Sequence, residues 1–227
     1  MSTPIALASA PDHEADVVYP DSDGLPMAEN TLQFQWITTI VGGLEALYRD
    51  NPNVFVAGDL LWYPIEGDNK TRIGPDALVV FGRPKGHRGS YMQWKEGGIA
   101  PQVVFEVLSP GNRPLEMMRK YNFYERFDVE EYYVYDPDNI ELSGWRRTGA
   151  IFDEIAEMDG WVSPRLGIRF DLSGPELKII GPDARPFATY VELAALAQEA
   201  DARASEADAR AARLAAQLRA MGIEPEA

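Results

Sequence analysis

The sequence predicts an α/β protein, with a mixed central sheet flanked by helices and followed by a C-terminal coiled-coil-like helix. Three observations carry this prediction. Residues 102–108 form a nearly continuous apolar run, the pattern of a strand covered on both faces. A helical segment at 113–127 separates that run from a second strand at 131–135. Such a strand–helix–strand order implies a right-handed crossover and parallel pairing in the middle of the sheet. Beyond residue 190 the chain changes to a heptad pattern.

Taken in order, residues 1–25 combine Ala, Pro, Ser and acids without periodicity, and are expected to be a disordered acidic lead-in. From Ala28 to Arg49, apolar residues such as Trp36, Ile37, Ile40 and Leu44 recur at helical spacing. Gly42 and Gly43 each weaken that helix by about 1 kcal/mol relative to Ala, which points to close packing there. Val54–Tyr63 is β-branched and aromatic, and with the turn signal at 66–69 it predicts a hairpin whose second strand is Asp76–Phe81. Residues 82–99 read as a long loop over one end of the sheet. After the apolar run, Ser109-Pro110-Gly111-Asn112 breaks the strand, and the following helix carries Met117, Lys120, Tyr121 and Tyr124 on its inward face. Strands are expected at Leu142–Trp145 and near Phe152, Ile168 and Leu177–Ile180, the last three extending the sheet's edge. The C-terminal seam runs from Leu193 through Ala197 and Ala200 to Leu218 and Met221, and Glu-Ala-Asp-Ala-Arg-Ala occurs at both 199 and 206. Its alanine-rich core buries little area, so a weak coiled coil or a solvent-exposed single helix is expected.

Composition narrows function. The chain has 227 residues, no cysteine and only His13 and His87, which excludes thiolate chemistry, disulfides and most histidine-based metal sites. No apolar run reaches the roughly 18 to 20 residues of a spanning helix. Met1–Ala10 lacks the Lys or Arg of a secretory signal, so cytoplasmic residence is expected. The net charge of −15 is unevenly placed: residues 70–95 carry Lys70, Arg72, Arg83, Lys85, Arg88 and Lys95 against one acid, Asp76. That stretch reads either as a solvated loop or as a patch tracking phosphates.

Two carboxylates stand out chemically. Glu106 lies within the apolar strand, where an ionised acid is costly unless compensated. Asp76 begins a strand directly after Gly74-Pro75. Two carboxylates at neighbouring strand ends can share a hard cation, and Mg²⁺ (with Mn²⁺ able to substitute) needs only one or two from protein; the carbonyl of Val107 can add a third oxygen. Lys120 would place positive charge where phosphodiester hydrolysis develops negative charge, or orient the attacking water. Taken singly, each has an ordinary alternative: Asp76 as a turn residue, Glu106 as a paired core acid, Lys120 as a snorkelling helix residue. Lesser candidates are Asp59 in the hairpin, Glu29 near the first helix's start, His87, Ser109 as a nucleophile without a placed histidine, and Tyr91 and Trp94 as base-stacking rings.

Pro75-Asp76, Glu106-Val107-Leu108-Ser109-Pro110, Arg119-Lys120 and Glu130–Asp136, in this order and spacing, resemble the Uma family of endonucleases in the PD-(D/E)XK superfamily, over residues 25–190. The resemblance implies a restriction-endonuclease-like core, a metal bound by Asp76 and Glu106, and a lysine at Lys120. The superfamily's usual lysine stands two residues after the acid, where this chain has Leu108, so the ammonium would come from the following helix, with Arg119 as its rival. The expected organisation is a lead-in at 1–25, a nuclease-like domain at 26–189 and a heptad helix at 190–222. The expected activity is metal-dependent DNA cleavage, with Arg72, Arg83, Lys85, Arg88 and Lys95 on the nucleic acid and the C-terminal helix making a homodimer or docking a partner protein. The alternatives are a catalytically silent binding module of the same fold and, from another class, a two-carboxylate glycoside hydrolase.

Overall fold

The computed structural model describes residues 17–222 apart from 23 and 25, so most of the expected lead-in, with His13, lies outside the described residues. The described part of that lead-in packs on the domain: Tyr63 Oη donates to Pro20 O at 2.7 Å, and Tyr19 stands edge-on to Tyr63.

Helix α1 (Thr31–Leu47) opens at Asn30, whose side chain accepts from the Gln33 amide at 2.8 Å. Its buried residues Gln33, Trp36, Ile37, Ile40 and Leu44 form one stripe at helical spacing that faces the sheet. A Cβ at Gly43 would sit 2.1 Å from the Phe187 ring, so close packing holds there; at Gly42 it would meet nothing within 4 Å. The strands are β1 (Val54–Ala57), β2 (Trp62–Tyr63), β3 (Ala77–Phe81), β4 (Tyr91–Met92), β5 (Val103–Val107), β6 (Glu131–Asp136), β7 (Glu141–Thr148), β8 (Ile151–Glu154), β9 (Arg169–Asp171) and β10 (Lys178–Ile180). Six of them form one mixed sheet in the order β1-β3-β5-β6-β7-β8. Its central pair, β5 and β6, is parallel and joined through helix α2 (Pro114–Arg126), as the strand–helix–strand order predicts.

Three expectations change. The first hairpin strand stops at Ala57; the chain turns through Asp59 at φ 48°, and Trp62–Tyr63 pair in parallel with β4 in a separate two-stranded sheet. Of the three late strands only β8 extends the main sheet, whereas β9 and β10 pair with each other. The 82–99 loop holds β4 and a 3-10 turn, Gln93–Glu96.

Alternation along the strands sorts side chains to two cores. Val103, Phe105 and Val107 join the α1 side, with Ala77 and Val79 from β3. Val104, Leu78 and Val80 face α2, with Tyr124 and Tyr132. Helix α3 (Tyr190–Ala220) is closed at its start by a capping box between Thr189 and Glu192 and has no buried residue. No helix among the described residues is long and apolar enough to cross a membrane.

Candidate active site

The register of β3 on β5 fixes the floor of the site. Ala77 pairs with Phe105 and Leu78 with Val104, so one step further Asp76 stands opposite Glu106. Both share the face of Leu78, Val80 and Val104, the face covered by α2. Like charges directly opposite on antiparallel strands repel. The sheet thus builds an unfavourable carboxylate pair, and α2 answers it. Lys120 and Tyr124 are four residues apart and share one helix face. Lys120 Nζ donates to Glu106 Oε2 at 2.6 Å, and Tyr124 Oη donates to Glu106 Oε1.

The electrostatics follow from burial and charge. Burial, then the charge of Glu106, pushes the Asp76 carboxyl well above the usual carboxylate range, despite opposing pulls from Lys120 and the Val107 amide. Burial would lower the Lys120 ammonium, but the Glu106 and Asp76 charges outweigh it and lift the group to about 12. Lys120 is therefore a permanent cation at neutral pH. Burial and Glu106 also push the Tyr124 hydroxyl up, keeping it a donor.

The Val107 peptide completes the floor. Its amide donates to Asp76 Oδ2 at 2.7 Å, and its carbonyl accepts from Gln33 Nε2 at 2.8 Å. Gln33 is 6% exposed, and its Oε1 accepts from the Glu29 amide at 2.8 Å. It is the main functional residue that sequence reasoning missed. The signal was present: Gln33 is a polar residue on the inward stripe of an apolar helix, an anomaly of the same kind as Glu106 within its strand.

Above this floor lies a cleft of about 410 Å³ lined by Asp76, Lys120, Gln33, Glu29, Asp59, Arg72 and Arg119 among others. Glu106, 2% exposed, sits beneath Asp76 and Lys120. A hard divalent cation suits these donors. Two adjacent carboxyls, already close enough to hydrogen-bond to each other, and a fixed carbonyl would offer it oxygens. Burial first, and then the Glu106 charge, raise the Asp76 carboxyl even with Lys120 in place, so a cation bound here would lower it again. Among the described residues no three or more acids or histidines gather as a metal cage, so Glu29 and Asp59 line the cleft without joining Asp76 and Glu106 in a larger cluster.

The remaining candidates separate. Arg72 lines the cleft and donates to Asn69 O at 3.2 Å. Arg83 and Arg88 are instead paired with Glu96, at 2.8 and 2.6 Å, and the Arg88 guanidinium lies 3.9 Å from the centre of the Phe55 ring. Glu96 stands one residue beyond the stretch whose charge looked unopposed, so two of its six cations are structural. Lys85, Lys95 and His87 are exposed and do not line the cleft. Tyr91 is fully buried and donates to Ile99 O at 2.7 Å, which removes it as a base-stacking ring; Trp94 packs on Tyr19. Ser109 donates to Glu29 Oε2 and has no histidine among its hydrogen-bond partners. Arg119, next to Lys120 in the second turn of α2, reaches the cleft wall while Lys120 pairs with Glu106.

Comparison with known proteins gives one family. The Uma2 model, described as "Putative restriction endonuclease", matches residues 25–175, which include the whole six-stranded sheet, α1 and α2. A crystal structure of "a putative nuclease belonging to DUF820" from Anabaena variabilis is similar at 15% identity and a TM-score of 0.45, covering 59% of this chain and 72% of that one; the likeness is too distant to bear on the site. No curated protein matches.

Proposed function

This chain belongs to the Uma2 family of restriction-endonuclease-like proteins, and on that premise we propose that it hydrolyses phosphodiester bonds in DNA with a divalent cation, Mg²⁺ or in its place Mn²⁺, held by Asp76, Glu106 and the Val107 carbonyl. One observation carries the reading: Asp76 and Glu106 stand opposite each other on paired strands, with Lys120 bonded to Glu106 and both Asp76 and Lys120 lining an open cleft. When bound, the cation supplies positive charge beside the phosphate and acidifies water, the two things this hydrolysis lacks at neutral pH.

The residues of the chain do the rest. Asp76 presents its carboxylate to the cleft, while its second role, accepting from the Val107 amide, fixes its direction. Glu106 is held by Lys120 and Tyr124 and cannot swing away. Gln33 holds the Val107 carbonyl, which would be the third oxygen. Lys120, lifted to about 12, acts as a charged donor toward the phosphate or the attacking water rather than as a base. Arg72 and Arg119, on the cleft walls, are placed to hold flanking phosphates.

A glycoside hydrolase of the usual kind needs carboxyls roughly 5 to 9 Å apart. Here the two lie within hydrogen-bonding reach with a lysine on one of them, which disfavours that reading. A silent binding module differs in having no reason to bind cations at Asp76 and Glu106. The test is incubation of supercoiled plasmid with the purified protein and Mg²⁺ or Mn²⁺, beside Asp76→Ala, Glu106→Ala and Lys120→Ala. Nicking or linearisation by the natural chain, lost in all three, is expected. Cleavage that survives all three overturns the assignment.

A further inference from the structure

The longest helix among the described residues is α3, whose first turns border a cavity shared with α1 and β10. Helix α3 runs 31 residues with none buried, and Leu193, Leu196 and Leu214 on it, with Met221 at its C-cap, are all more than half exposed. Its apolar seam places Leu193, Ala200, Ala207, Leu214 and Met221 at the d positions of a heptad, and Ala197, Ala204, Ala211 and Leu218 at the a positions. The flanking positions then follow without further choice. The e positions hold Ala194, Asp201, Asp208 and Ala215, and the g positions hold Leu196, Arg203, Arg210 and Gln217, so the charges sit in the middle of the helix.

From this segregation of charge we infer that α3 pairs with α3 of a second copy of this chain, parallel and in register. In a parallel pair, each g residue meets the e residue five places further along the opposite helix. Arg203 of each copy thus meets Asp208 of the other, and symmetry makes the contact twice. In an antiparallel pair e faces e and g faces g, which sets Asp against Asp and Arg against Arg. The charges therefore both favour one orientation and oppose the other. The repeated Glu-Ala-Asp-Ala-Arg-Ala hexads, offset by one heptad, keep this arrangement in register. The one intrahelical pair, Arg203 with Glu199 at 3.1 Å, is exposed and leaves further guanidinium donors for a partner.

Orientation decides what the assembly can do. A parallel pair puts both catalytic domains at the Thr189 end of the helices. An antiparallel pair would hold the two Thr189 ends about 46 Å apart, the length of a 31-residue helix. The pairing itself does not depend on the nuclease reading. If that reading holds, parallel α3 helices bring two clefts to one stretch of DNA, as cutting both strands requires.

The chain's lack of cysteine makes the test direct. Sedimentation equilibrium of the full chain should show a reversible dimer, weak because most seam residues are alanine. Arg203→Asp and Asp208→Arg should each raise the dimer dissociation constant about tenfold. Mixing the two variants in equal amounts should restore association, since both 203–208 contacts are then between opposite charges. Under mild oxidation, Leu214→Cys should form an interchain disulfide readily and Ala209→Cys, on the outer f position, should not. All these positions are exposed, so circular dichroism should report an unchanged fold. A chain that stays monomeric to about 100 µM, some hundredfold above a micromolar dissociation constant, overturns the inference. So does a dimer that Leu214→Cys fails to cross-link, or one indifferent to both charge reversals.

Discussion

Replacing Lys120 by Met tests the electrostatic core of the site without any substrate. The Lys120 and Glu106 side chains are 16% and 2% exposed and stand 2.6 Å apart, so this is a buried ion pair. Removing one partner of such a pair costs about 3 to 5 kcal/mol, because the other charge is left in a poor solvent. Tyr124 continues to donate to Glu106, which places the expected loss near the lower end, about 3 kcal/mol. For a chain of this length each kcal/mol moves the midpoint by about 2 to 4 °C, so Tm should fall by about 6 to 12 °C at pH 7.5. The loss has a pH signature. A carboxyl group whose folded pKa is raised contributes stability that is complete below its unfolded value and lost as pH rises through the folded one. Asp76 is already raised, and losing Lys120 removes a pull that lowers it. The gap between variant and natural protein should therefore narrow toward pH 5, as the carboxylate pair takes up a proton. Mg²⁺ at ten times the variant's dissociation constant should stabilise the variant by about 1.4 kcal/mol, and the natural protein by less at the same concentration. Differential scanning fluorimetry over pH 5 to 8, with and without Mg²⁺, reads all three effects. A Tm within about 2 °C of the natural protein at pH 7.5, or an equal loss at both ends of the range, would show that Lys120 does not neutralise the pair.

The same reasoning gives three further expectations. Asp76→Asn should raise Tm in metal-free buffer at neutral pH, with the advantage vanishing on acidification, because the raised Asp76 carboxyl withdraws its contribution as pH climbs through its folded value; a lowered Tm at pH 7.5 would contradict this. Gln33→Leu strips the Val107 carbonyl and the Glu29 amide of their partner and should cost about 2 to 4 kcal/mol in urea unfolding with an unchanged slope, and it should also weaken Mn²⁺ binding in calorimetry, which a purely structural glutamine would leave alone. Arg119→Ala should lower the salt slope of DNA binding by about 1, whereas Arg83→Ala, which only breaks the pair with Glu96, should lower stability and leave the slope unchanged.

What the sequence makes legible depends on how locally each feature is encoded. The buried strand at β5, helix α2 and the parallel β5–β6 pair follow from composition and order over a few tens of residues, and the structure has them where those signals lie. Glu106 is visible for the same reason: an acid in an apolar run violates a local rule. The opposition of Asp76 and Glu106 is different in kind. It depends on β3 pairing with β5 across a connection that includes β4 and a 3-10 turn, and nothing in residues 82–99 announces that register. Glu96 shows the other limit. Charge counted along the chain stops at Lys95, whereas in space Glu96 closes on Arg83 and Arg88 from 13 and 8 residues away and turns a presumed phosphate surface into an internal ion cluster. Gln33 lies between these cases. Its position on the inward face of α1 is legible, but its partner, Val107, is 74 residues away. A buried polar side chain always needs a partner, so such a residue can be flagged from sequence as an unanswered donor. Where the flagged residues are an acid on a strand, a second acid at a neighbouring strand's mouth and an amide on the covering helix, the economical solution is one site that answers all three. That convergence, more than any single motif, is the physical argument for placing the chemistry at the floor of this cleft.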